Sequence, residues 1–149
     1  MEKLTAIAGP ADALFWLFFM GLQDIQKKSI SVRALILMTA SGVVFAVLET
    51  REKNTGAILL SLLLRVLPGL VMLLFSFFLK GAVGSADGWA AAALGLFAGA
   101  AGAVESLMYG LLFCGLAGLL LLALKKKRRS DALAFLPFLA GGYLMSLLL

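Results

Sequence analysis

Two carboxylates are the residues of this chain whose type and placement could do chemistry. Asp87 lies in a glycine-rich turn, Lys80-Gly-Ala-Val-Gly84-Ser85-Ala86-Asp87-Gly88, between two long apolar runs. Asp24 closes the first apolar run, in Gly21-Leu-Gln-Asp24-Ile-Gln-Lys27-Lys28. An ionisable side chain at the mouth of an apolar helix, in a chain that otherwise avoids charge, is a functional-site hypothesis by default. The plainer reading of Asp24 is a pair with Lys27 or Lys28 at helical spacing, worth a few tenths of a kcal/mol. Against that, an acid near a helix C-terminus faces the wrong end of the dipole. Two carboxylates a few Å apart cannot both ionise easily, so they share one proton. The protonated partner can polarise a carbonyl while the ionised one takes a proton from water.

Composition removes the competing chemistries. The chain has no histidine, which excludes imidazole proton shuttles, serine or cysteine triads and histidine-based metal sites. Its one cysteine, Cys114, sits inside an apolar run, so there is neither a disulfide framework nor a cysteine-based zinc module. Cys114 reads as a small buried hydrophobe. No metal and no cofactor is expected, and carboxylates are what remain.

The elements that must hold these acids are apolar. Of 149 residues 62% are hydrophobic and 14% charged, and the mean hydropathy is +1.06, too little polar surface for a soluble domain of this length. Apolar runs fall at 5–23, 34–49, 56–79, 89–104, 106–124 and 132–149. About 20 apolar residues span a bilayer. The expectation is an all-α integral membrane protein, a bundle of about six transmembrane helices forming a single domain over 1–149. The first run is followed by Gln23-Asp24 rather than a small-residue cleavage site, so it reads as a retained helix. Asp12 reads as a helix-start or interfacial residue. Pro68-Gly69 kinks the third run. Arg65, about mid-run, either faces the bundle as a carboxylate's partner or reaches the headgroups, and the second is the expectation. Glu105 reads as a surface turn between the fourth and fifth runs. Ala91, Gly95, Gly99 and Ala103 recur every fourth residue, placing small side chains on one helix face where another backbone can come close.

Charge then orients the bundle. Positive residues in short loops mark the cytoplasmic side, so the block Lys125 to Arg129 belongs inside. Alternate crossings put the Asp87 loop and the Asp24 loop inside as well, the turn at 49–54 and both termini outside. Nine of the thirteen Lys and Arg then lie in the three inner loops. Asp24 and Asp87, 63 positions apart, fall at the same membrane face.

On these residues the chain resembles the type IV prepilin peptidases and archaeal preflagellin peptidases, membrane aspartic peptidases, and is nearest in size to the short Tad/Flp-type form. Three patches carry the likeness. Asp24 to Ile30 is similar to the family's first motif, an Asp ending a helix, then basic residues and Ile-Pro-Asn. Gly84-Ser85-Ala86-Asp87 resembles Gly-x-Gly-Asp, followed by Leu94-Gly95-Leu-Phe-Ala-Gly99. Phe135-Leu-Pro137-Phe138-Leu-Ala140 is similar to a late Pro-Phe segment. Three positions depart from the pattern: Ala86 replaces the second glycine, Trp89 stands where a lysine is usual, and Ser31 follows Ile30 in place of proline. Were position 86 to need a left-handed backbone, alanine would cost roughly 1–2 kcal/mol there.

The resemblance implies a six-helix peptidase core with Asp24 and Asp87 as the catalytic pair. Gly84, Ser85, Ala86, Gly88 and Pro137 would shape the loop or admit substrate. The substrates would be prepilins or similar precursors, cut after a short basic leader at the cytoplasmic face of a prokaryotic membrane. The methyltransferase activity and cysteine-rich insertion of larger relatives have no counterpart in a chain with one cysteine and no room for that insertion. The basic inner loops would hold anionic lipid, at roughly 1 kcal/mol per residue near the surface. No nucleic-acid partner is expected, and a homo-oligomer is an open arrangement. Two alternatives stand beside the peptidase: a relative that binds pilin precursors without cutting them, and a small transporter whose polar path is lined by Asp24, Arg65 and Asp87.

Overall fold

The computed structural model describes residues 2–27, 29–50, 54–78, 84–124 and 133–149. Lys28, the turn residues 51–53, residues 79–83 with Lys80, and the block Lys125 to Arg129 lie outside the described residues. Five helices follow one another: α1 (Glu2–Lys27), α2 (Val32–Glu49), α3 (Thr55–Phe78), α4 (Ser85–Ala123) and α5 (Leu136–Leu148). Among the described residues three of them, Val32–Glu49, Thr55–Phe78 and Ser85–Ala123, are long and apolar enough to cross a membrane. The six runs of the sequence thus appear as five helices, the fourth and fifth runs joined in α4, and α5, at 13 residues, is shorter than a crossing of about 20 requires.

The difference lies in α4. The sequence places a turn at Glu105-Ser106, but both residues are helical, and Glu105 is exposed on the helix side. The backbone instead leaves helical geometry at Gly99, with φ 74 and ψ 172. That region of the backbone map is open essentially to glycine alone. A Cβ on Gly95 would sit 3.7 Å from the Cβ of Ala103, whereas eight residues of straight helix advance about 12 Å. The chain therefore doubles back at Gly99, and residues 85–98 and 100–123 form two arms lying side by side. The four-residue recurrence of small side chains contains a packing position at Gly95 and a hinge at Gly99.

The first arm of α4 runs antiparallel to α3 at very short range. A Cβ on Gly95 would collide with the carbonyl of Arg65, one on Gly69 with the backbone of Ala92, and one on Gly88 would lie 2.7 Å from Leu73 Cγ. Absence of side chains at these points is what lets the two backbones approach. Pro68 is accommodated within α3, which stays helical from Thr55 to Phe78. The second arm packs along α5: Gly142 abuts the Ser106 carbonyl, and Gly110 would place a Cβ 3.1 Å from Leu139 Cα. Ser106 Oγ donates to the Gly102 carbonyl at 2.6 Å and lies 3.1 Å from Ser146 Oγ, so the buried hydroxyl at this contact is satisfied.

The core collects Ala13, Leu17 and Met20 of α1, Ala34 and Met38 of α2, Ala90, Ala93 and Leu94 of α4, and Leu136, Leu139, Ala140 and Tyr143 of α5. Spacings of three and four within each helix put these side chains on one stripe. α3 stays at the margin, with Gly69 its one buried residue, and turns Leu59, Leu63, Leu74, Phe75, Phe77 and Phe78 outward. Apolar surface on that scale suits hydrocarbon rather than water.

Candidate active site

Asp24 lies in the last turn of α1, where its own helix offers it nothing. The compensation comes from α5. The backbone N–H groups of Leu136 and Phe135, at the α5 N-terminus, hydrogen-bond to the Asp24 carboxylate. The first N–H groups of a helix have no partner within it, and the positive end of the dipole favours an anion there. Pro137, in the first turn of α5, has no N–H to leave unpaired, and its backbone lies against Gly21, 3.4 Å from where a Cβ would be. The late Pro-Phe segment therefore reaches the site through its backbone, by seating the α5 N-terminus on the end of α1. Partial burial holds the Asp24 carboxyl above its ordinary value of 3.8, with the two N–H groups pulling the other way.

Asp87 occupies the first turn of α4, three residues after the N-cap Gly84. Its carboxylate accepts a hydrogen bond from the Gly84 backbone N–H, and its own N–H donates to the Gly84 carbonyl at 3.1 Å. Only the N3 half of a capping box is present, the Asp87 side chain reaching back to the N-cap N–H, since the N-cap is a glycine. A Cβ on Gly84 would come within 2.9 Å of Asp87 Oδ2, so a larger residue there would press on the carboxylate. Ser85 is exposed and Ala86 half-buried, both helical. Ala86 thus needs no left-handed backbone, and the penalty considered for it does not arise: Gly99 is the one residue of α4 with non-helical dihedrals. The space beside Gly88 is filled by Leu73 of α3. Trp89 is 52% exposed.

These elements bring the two acids to one end of the bundle, and the charge of Asp24 acts on Asp87. Cys114 arrives at the same end because the second arm returns from Gly99. It is a free thiol, half-buried against the core, and it too feels the Asp87 charge. Its placement beside the site has no signal in the sequence, since it depends on the reversal at Gly99. No cluster of three or more metal-ligating side chains occurs among the described residues.

Arg65 stands apart from this end. Its guanidinium pairs with Glu49 at 2.7 Å and donates to the Leu96 carbonyl at 3.0 Å, near the Gly99 reversal. Its side chain is 14% exposed, so it faces a carboxylate and a helix end, where the sequence favours the headgroups.

Fold and site together define a helical membrane protein with two carboxylates at one end of its bundle. The chain belongs to the type IV leader peptidase family, a family of proteases, whose model matches residues 13–124. The matched segment contains both Asp24 and Asp87 and ends before α5. No curated protein and no solved structure matches the chain.

Proposed function

We propose that the protein is a membrane aspartic endopeptidase, without methyltransferase activity, that removes the short basic leader of type IV pilin-like precursors at the cytoplasmic face of a prokaryotic membrane. The observation that carries this reading is that Asp24 and Asp87, acids remote in sequence, come near enough for the charge of Asp24 to act on Asp87, within a chain of a leader-peptidase family. Asp24 and Asp87 hold one proton between them. The ionised member draws a proton from water, and the resulting nucleophile attacks the scissile carbonyl. The protonated member donates its proton to the carbonyl oxygen. The member that took water's proton passes it to the leaving amine as the C–N bond breaks, and the first regains its proton from the collapsing hydroxyl. The α5 N-terminus steadies Asp24, and the Gly84 N–H steadies Asp87. Glycine at 84 keeps the approach to Oδ2 open.

The proposed topology has both termini outside, with the arms of α4 as the fourth and fifth crossings and the reversal at Gly99 on the outer side. The catalytic end then faces the basic inner loops and anionic lipid. A single domain carries the whole site.

A second reading is supported by the same hydrogen bonds. Both acids serve helix ends, which is reason enough for a binding relative to keep them. Co-expression with a pilin precursor separates the two readings, with leader removal followed by mass. Cleavage by the unmutated chain, lost in Asp24→Asn and in Asp87→Asn, is the expected result. Cleavage surviving both substitutions would sink the site assignment, and co-purification of an uncut precursor would favour binding alone. That the charge of Asp24 acts on Asp87 favours one shared site over the separate polar cavities a transporter would need.

A further inference from the structure

The reversal at Gly99 creates a problem that the sequence solves with a residue on another helix. A helix that stops leaves the carbonyls of its last turn without partners within it. Leu96 is in that last turn. Arg65 Nη1 donates to its carbonyl at 3.0 Å, while Nη2 is held by Glu49 Oε2 at 2.7 Å. Three elements meet in this one guanidinium: α2 through Glu49, α3 through Arg65 itself, and the broken end of α4 through Leu96. The α3 and α4 backbones also come very close at the meeting point, with the Arg65 carbonyl against Gly95. A planar fork can serve a carboxylate and a carbonyl at once, which an ammonium point charge does less well.

We propose that Arg65, oriented by Glu49, is a positioning residue: by capping the end of the first α4 arm it fixes the angle at which that arm leaves the Gly99 reversal, and so the place where Asp87 meets Asp24. The catalytic consequence rests on the peptidase reading above, whereas the clamp itself does not. Arg65 is at the far end of the bundle from both acids and touches neither. Its effect travels along a single rigid arm from Leu96 to Asp87, so loosening one end swings the other.

The test has two arms. In a Cys114→Ser background, spin labels at Trp89→Cys and Leu112→Cys, exposed positions on the two arms of α4, report the hairpin geometry in lipid nanodiscs. The chain with Arg65 intact should give one narrow distance distribution. Arg65→Leu should broaden or lengthen it, with Arg65→Lys and Glu49→Gln intermediate. In the second arm, cleavage of a pilin precursor by unlabelled protein should show kcat reduced on the order of ten- to a hundredfold in Arg65→Leu, as expected for misplacement near 1 Å. KM should stay within about twofold, the mark of an interaction made in the transition state. Arg65→Lys should recover part of kcat.

An unchanged distance distribution in all three variants overturns the clamp. A raised KM with kcat intact, or a widened hairpin with kcat intact, overturns the positioning role. Failure of the unmutated chain to cut any precursor counts against the peptidase reading alone, and the label distances still decide the clamp. Should Arg65→Leu fail to fold, Arg65→Lys and Glu49→Gln decide both arms.

Discussion

Asp24 sits where the end of one helix meets the start of another, and its energetics follow from that junction. Burial raises its pKa above the ordinary 3.8, so the folded chain holds this proton at a pH where the unfolded chain has released it. Its contribution to stability is therefore complete below 3.8 and lost as pH climbs through the folded value. Asp24→Asn removes that dependence. Thermal unfolding in detergent at about pH 4 and about pH 7 should show the parent losing ground to the variant as pH rises. A parent that gains on the variant over that range would contradict the account. At position 86 the expectation is quieter. Ala86 is helical, so Ala86→Gly brings no relief of strain and costs up to about 1 kcal/mol of helix stability. Leader removal by that variant should match the parent, and a large gain in rate would mean that alanine does impair the site.

Among the elements, α4 decides the architecture. Its reversal rests on a backbone conformation that a Cβ opposes, although no neighbouring atom lies within 4 Å of where one would be. Gly99→Ala should therefore cost about 1–3 kcal/mol through dihedral strain alone. Denaturation in mild detergent, compared with Gly115→Ala on the helical part of the second arm, where a Cβ would also meet no atom within 4 Å, would measure it, and equal losses at the two positions would refute the hinge. The sequence conceals this feature for a physical reason. Glycine at every fourth position signals close packing, and nothing in the one-letter pattern tells a glycine that admits a neighbouring backbone from one that turns its own. Glu105 misleads in a similar way: a charge between two apolar runs suggests a surface turn, yet it rides on the exposed side of an unbroken arm. The apolar runs themselves are legible because their spacing and their length are set by the bilayer. The partners of Asp24 are not, since Phe135 and Leu136 contribute backbone N–H groups, which any residue but proline could supply.

For the molecule as a whole, the balance between inside and outside is that of a protein made for lipid. Its fully buried residues are mostly small or medium, Ala13, Ala34, Ala46, Ala90, Ala91 and Ala103 among them, while long apolar side chains point outward. Association within a membrane cannot draw on water exclusion and depends on close contact between backbones and on a few polar bonds. The Arg65–Glu49 pair and the Ser106–Ser146 contact are of that kind. The two acids follow the same logic at the other end, where helix termini rather than water satisfy them.

Because the returning arm delivers Cys114 to the neighbourhood of Asp87, the chain carries its own reporter of occupancy, needing no engineered thiol. Maleimide labelling of that sulfur should slow when a leader-bearing peptide is added, and a scrambled peptide should leave the rate as it was. Equal protection by both peptides would place the bound segment elsewhere on the bundle.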